Sequence, residues 1–222
     1  TVHSTGDLTL PGPGERLSWP MYQQRDLSVL GNWQQYLGFF EYPAAHGPFA
    51  GVYDAAYDAG AVRVFPAQIA QGSKAFAPGW RDALASSHFT DDSSTYVELH
   101  GGLAPTFFEQ YRLPAAESVS WREHWYPVRG IETLSHANEQ MAAGAHRLPD
   151  GVHVGLYPTS PFHGELLLLL DGQPVARRVV DARPDMPFEH IFEQDDLGEG
   201  VISFQVEDGS GGEVLQFDLR ES

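Results

Sequence analysis

The stretch Glu165-Leu166-Leu167-Leu168-Leu169-Leu170-Asp171-Gly172-Gln173-Pro174-Val175-Ala176-Arg177-Arg178-Val179-Val180-Asp181 decides how the chain is read. Leu166 to Leu170 is an apolar run of strand length, bounded by a turn signal. Asp-Gly supplies the two left-handed residues that the tightest hairpin turn requires, so Asp171-Gly172 predicts a reversal between two strands. After it, Val175, Arg177, Val179 and Asp181 alternate with Ala176, Arg178 and Val180, the two-residue period of a strand with two distinct faces. The same grammar extends outward to Val152–Tyr157, Val201–Glu207 and Val214–Leu219. Asp208-Gly209 with Gly211-Gly212 marks a second, looser hairpin.

Five or six such strands within about 75 residues predict a small immunoglobulin-like sandwich over 148–222. Upstream, Leu37–Tyr42, Ala61–Ala67, Tyr96–His100 and Ser118–Tyr126 are further short strand candidates, separated by glycine and proline. The fold class expected is therefore all-β. The one helical candidate is Ser135 to His146, which is alanine-rich and carries Glu139 and Met141. All five tryptophans lie before residue 148, and the acidic strand-turn pattern follows it. This places the expected domain boundary there, with 1–147 as the first β-sandwich region.

Composition excludes several functions. The 222 residues carry a formal charge of −17, and of the 13 basic side chains only Lys74 is a lysine. Nucleic acid and anionic membrane surfaces are disfavoured, since both need a basic footprint. Cysteine is absent, which removes disulfides, thiolate metal sites and thiol nucleophiles. No apolar run approaches the ~18 residues of a membrane helix. No secretory leader pattern is visible, so the expected location is cytoplasmic or left open. No nucleotide-loop or nucleophile-elbow motif occurs. The histidines, including His100, His124, His136, His146 and His153, lack HxH or HExxH spacing, so neither a metal nor a cofactor is expected.

The stretch that could carry chemistry is Tyr96-Val97-Glu98-Leu99-His100-Gly101-Gly102-Leu103-Ala104-Pro105-Thr106. On a strand, Tyr96, Glu98 and His100 share one face. A carboxylate between a phenol and an imidazole suits acid–base work or the binding of hydroxyls. The glycines after it let backbone turn or approach a ligand closely. Aromatics crowd the segment from Trp19 to Tyr57, a pattern that fits either a sandwich core or a platform on which sugar rings stack. Trp80, after Pro78-Gly79, is read as a cap on such a cleft or as a loop anchor.

This segment resembles the late active-site strand of galactose-mutarotase-like proteins. It is closest to an uncharacterised group of them, often found with tetratricopeptide repeats, in which the strand runs roughly Tyr-x-Glu-x-Gln-x-Gly-x-x-Pro-Thr. The chain keeps Tyr96, Glu98, Gly102, Pro105 and Thr106, with His100 in the usual place of Gln. Gly38-Phe39-Phe40-Glu41-Tyr42, Gly51-Val52-Tyr53-Asp54, Gly79-Trp80 and Ser120-Trp121-Arg122-Glu123 extend the likeness over about residues 17–135. The resemblance implies a mutarotase-like β-supersandwich, present as its later part. It implies a carbohydrate ligand, Glu98 as catalytic base, and Tyr96, His100, Trp80, Glu41 and Tyr53 as substrate contacts. The family's acid histidine lies on an upstream strand, which implies that the missing upstream half, or a second copy, completes the fold. Two alternatives stand beside this aldose 1-epimerase-like reading. One is a non-catalytic interaction module. The other is a glycoside hydrolase pairing Glu98 with Glu41, Asp54 or Asp58, whose mechanism depends on carboxylate separation.

Overall fold

The computed structural model describes residues 1–42, 47–80, 90–92, 94–194, 197 and 200–219. It is all-β. Among the described residues no α-helix forms, and none is therefore long and apolar enough to cross a membrane; Leu30–Asn32 makes a single 3-10 turn. The chain folds into two compact units, one of Thr1–Ala50 with Phe65–Glu123, the other of Gly51–Val64 with His124–Ser222.

In the first unit, β1 (Val2–Thr5), β4 (Leu37–Phe40), β7 (Lys74–Ala77) and β8 (Glu98–His100) form one sheet in that order. A two-residue ribbon, β2 (Met21–Tyr22) with β3 (Arg25–Asp26), lies apart from it in the hydrogen-bonding pattern. One face of the sheet is apolar. Val2, Leu37, Phe39 and Ala77 pack there with Leu27 and Trp33, and Trp19 adds a ring 4.7 Å from Phe39. Much of the aromatic density from Trp19 to Phe39 is therefore core, with the Trp33 indole N–H bonded to the Leu27 carbonyl at 2.8 Å.

Asp7 pins the ribbon to the loop after β1. Its buried carboxylate accepts hydrogen bonds from the Thr9 N–H and hydroxyl and from Arg25 at 2.8 Å. Burial pushes the Asp7 carboxyl up, but the Thr9 and Arg25 donors outweigh it and hold it below the ordinary aspartate value. A depressed folded value stabilises above the unfolded pKa of about 3.9 and is lost as pH falls through the folded one. Asp7→Asn keeps the shape and removes the charge facing Arg25. The expected cost in urea unfolding at neutral pH is about 2–3 kcal/mol, the worth of hydrogen bonds to a charged group, and the gap from wild type should narrow as pH falls below the unfolded pKa of about 3.9 and through the lower folded value of Asp7.

In the second unit, β5 (Phe49–Asp54, shared at its start with the first unit), β6 (Ala59–Val64) and β9 (His124–Val128) form a three-stranded sheet. Two four-stranded antiparallel sheets follow. One is β10 (His136–Ala137), β11 (Met141–Leu148), β12 (Gly151–Pro158) and β15 (Phe188–Glu193). The other, in spatial order, is β14 (Gln173–Ala182), β13 (Phe162–Leu170), β16 (Ile202–Asp208) and β17 (Glu213–Asp218). They share one core, to which Val152, Val154, Leu156 and Phe192 contribute from the first sheet and Leu166, Leu168, Phe204, Val206 and Phe217 from the second. The predicted hairpin is present. Leu170 pairs with Gln173 around Asp171 and Gly172, whose φ values of 49° and 76° are the left-handed pair that turn needs.

Three expectations are corrected. Ser135–His146 is not a helix but contains β10 and most of β11. Alanine there serves packing, not helix propensity, because Ala142, Ala143 and Ala145 are buried on the two faces of a strand. The units do not divide at 148. Leu148 pairs with Gly151, so that position sits at the tip of the β11–β12 hairpin. The strand expected over Ser118–Tyr126 begins only at His124, with Ser118–Glu123 forming none.

Candidate functional site

The face of the β1-β4-β7-β8 sheet opposite its core carries the chemistry. Register places Phe76 opposite Glu98 and Lys74 opposite His100, with Gly38 and Phe40 across from Phe76 and Lys74 on the other side. Cross-strand partners project to the same side of a sheet. Glu98, His100, Lys74, Phe76 and Phe40 therefore share this face, while Ala75, Leu99, Leu37 and Phe39 take the other.

Glu98 is held from both ends. The Tyr96 hydroxyl donates to its Oε1 at 3.0 Å and His100 Nε2 reaches its Oε2 at 2.6 Å. Burial pushes the Glu98 carboxyl up. The hydrogen bonds from His100 and Tyr96, with the charges of His100 and Lys74, outweigh it and leave it below the ordinary glutamate value. Tyr96 is shifted up, first by burial and then by the carboxylate that its proton serves. The side chains of Glu98 and His100 are 35% and 44% exposed, so their polar ends remain within reach of a ligand.

Lys74 was not singled out by the sequence. It is 7% exposed, and its ammonium sits 5.6 Å from the Phe76 ring and 5.0 Å from the Phe107 ring. That distance suits attraction between a cation and a ring face. Burial holds the Lys74 amine below the usual lysine range, with the Glu98 charge opposing the shift. Phe107 is brought there by Thr106, a buried residue whose hydroxyl accepts the Phe108 N–H at 3.1 Å and donates to Glu109. The ring also meets His3 at 4.7 Å and Phe40 at 4.9 Å, each edge-on. The result is a carboxylate, a phenol, an imidazole and a buried ammonium beside a half-exposed aromatic wall.

The structure gathers Tyr96, Glu98 and His100 as expected and leaves the other three candidates engaged elsewhere. Glu41, just past β4, lines an open depression of about 550 Å³ with Tyr42, Phe65, Gln68 and Ser73. Trp80 lies beyond β7, its N–H bonded to the Trp33 carbonyl at 3.0 Å, and among the described residues it has no hydrogen bond or ring contact with the Glu98 row. Tyr53 belongs to the second unit and clamps a loop. Its hydroxyl donates to Asp58 and accepts the Ile131 N–H at 3.3 Å, while Asp58 accepts the Gly130 N–H at 2.7 Å. Asp58 is thereby committed to structure, and Asp54 accepts the N–H of Ala56 in its own turn. The glycines after Glu98 do permit a close approach, but to the chain itself. The Gly72 N–H bonds the Gly102 carbonyl at 2.9 Å, and a Cβ on Gly72 would meet the Ala104 carbonyl oxygen at 2.3 Å.

No family model, curated protein or solved structure matches this chain.

The Glu98 row could accept hydroxyl protons, donate through Tyr96 and His100, and cover an apolar ring face with phenylalanine. His146 and His153, scattered by spacing, face each other across β11 and β12.

Proposed function

We propose that the chain binds a carbohydrate on the Glu98 face of the first unit's sheet. On this reading the first unit is the later part of a mutarotase-like sandwich, and the paired sheets of the second are immunoglobulin-like. The supporting observation is the Glu98 carboxylate, oriented by Tyr96 and His100 and set beside Phe76, Phe107 and the Lys74 ammonium. Sugars ask for both parts of this arrangement. Their hydroxyls pair with charged acceptors and their C–H faces pack on aromatic rings. A carboxylate already kept ionised by its neighbours is a ready acceptor at neutral pH.

Binding is favoured over turnover. Opening a sugar ring needs a base at the anomeric hydroxyl and a separate acid at the ring oxygen. His100 is bonded to the base itself, so it serves Glu98 rather than a second position on the ligand. The test is calorimetric titration of the intact protein with a panel of monosaccharides and oligosaccharides. Binding is expected, and Glu98→Gln should weaken it by about tenfold or more, since a charge-assisted hydrogen bond is worth about 1.5–3 kcal/mol. Absence of binding across the panel, or unchanged affinity in both Glu98→Gln and Phe107→Ala, would overturn the reading in favour of an interaction module.

A further inference from the structure

A second cluster lies in the second unit, on the face of the β10-β11-β12-β15 sheet turned away from the core. Inward positions of β11 and β12 are Met141, Ala143, Ala145, Val152, Val154 and Leu156. The alternate positions face outward, and among them the register sets His146 opposite His153 and Gly144 opposite Gly155. The loop 130–133 runs over the two glycines. A Cβ on Gly144 would lie 2.0 Å from the Thr133 carbonyl oxygen, and one on Gly155 would lie 2.5 Å from the Ile131 Cα. Only glycine lets backbone settle so close to a sheet. This seating carries Glu132 to the histidine pair.

The donors converge. Glu132 Oε2 is 3.2 Å from His146 Nε2 and 3.8 Å from His153 Nδ1, and one donor from each of the three residues lies within 4.8 Å of the others. His153 is 4% exposed, and among the described residues neither of its ring nitrogens has a hydrogen-bond partner. Buried polar atoms are almost always paired, so an imidazole enclosed in this way needs an explanation. Its far nitrogen, Nε2, points towards Glu189 Oε2 at 3.6 Å. A histidine that turns one nitrogen to a shared centre and the other to a carboxylate is the usual arrangement of a metal ligand with its outer support.

We infer that Glu132, His146 and His153 form a site for one divalent transition-metal ion of the zinc class, with Glu189 orienting His153. Zinc binds nitrogen and oxygen donors at about 2.0–2.2 Å, so tetrahedral neighbours lie about 3.3–3.5 Å apart. The 3.2 and 3.8 Å spacings bracket that value. Two imidazoles and a single carboxylate favour zinc or a similar borderline ion over calcium or magnesium, which take oxygen donors. Three protein ligands leave a coordination position for water or for a group on a ligand. This site is independent of the carbohydrate reading.

The experiment is titration of chelator-treated full-length protein with zinc chloride by calorimetry, repeated with cobalt(II) and followed by visible absorption. One ion per chain is expected, with the strong absorption of tetrahedral cobalt. Glu132→Gln and His146→Gln change partly exposed side chains and spare the core. Each should lower zinc affinity at least about tenfold, and Glu189→Gln by about 10–100-fold through loss of the outer support. An unchanged far-ultraviolet circular dichroism spectrum separates lost binding from lost folding. No zinc binding by the wild-type protein, or an affinity indifferent to both Glu132→Gln and His146→Gln, would overturn the site.

Discussion

Gly144→Ala is expected to destabilise the second unit by about 3 kcal/mol or more, at or beyond the upper end for overpacking a well-filled interior. Two effects compete. Replacing glycine in a strand restrains the unfolded chain and by itself would stabilise by about 0.4–1 kcal/mol. Against that, the added methyl would lie 2.0 Å from the Thr133 carbonyl oxygen and 2.2 Å from that of Ile131. Both obstacles are backbone and cannot rotate away. The loop itself is fixed, because the Gly130 and Ile131 N–H groups are bonded to Asp58 and Tyr53. The clash therefore decides the sign. Gly209→Ala, whose nearest obstacle is the His163 carbonyl oxygen at 3.8 Å, should stay within about 0.5 kcal/mol of wild type. Chemical unfolding of the two variants side by side is the measurement. Because the same loop carries Glu132, Gly144→Ala should also lose zinc affinity even where it remains folded.

Phe204→Ala is the second large effect, expected at about 3–5 kcal/mol, the range for removing a buried aromatic ring from a core. Phe204 is fully buried on β16, with the Phe192 ring of β15 at 5.9 Å and the Phe217 ring of β17 at 5.3 Å. Phe192 belongs to the opposite sheet, so the cavity would open between the two layers that Phe204 joins. Domains are stable by only about 5–15 kcal/mol, so one such loss removes a large part of the total. Phe204→Leu, which keeps most of the volume, should cost less than about 1.5 kcal/mol. A similar cost for both variants would mean that the ring is not what joins the sheets.

The parts of the fold that were legible in the sequence are those set by local rules. Asp171-Gly172 named its turn because its left-handed conformations are a property of those two residues. Leu166–Leu170 and Val201–Glu207 named their strands by period and composition. What misled was small residues. Ala142, Ala143 and Ala145 read as helix formers with Gly144 as a stop, yet all four are small because the loop 130–133 lies on one side of them and a core on the other. The Glu98 and His100 pair was legible because a strand alone puts alternate side chains together, while Tyr96, two residues before β8, reaches the same carboxylate from outside the strand. Lys74 and Phe107 were not, because their place beside Glu98 depends on β7 pairing with β8 and on Thr106 anchoring the next loop. The histidine pair lies between these cases. His146 and His153 are placed symmetrically about Pro149-Asp150, so a two-residue reversal there would have put them opposite each other. Reading Ser135–His146 as a helix hid that symmetry.

The single lysine of the chain has a further consequence. Its amine is enclosed by Phe76, Phe107 and the neighbouring strand, and burial holds it below the usual lysine range. Reagents that acylate side-chain amines have no other lysine to modify. The rate at which Lys74 is modified, located by mass spectrometry of its peptide, is therefore expected to follow how often the Phe107 ring uncovers it on this face of the sheet. The one lysine would thus serve as a built-in clock for exposure of the Glu98 face, with no label engineered into the protein.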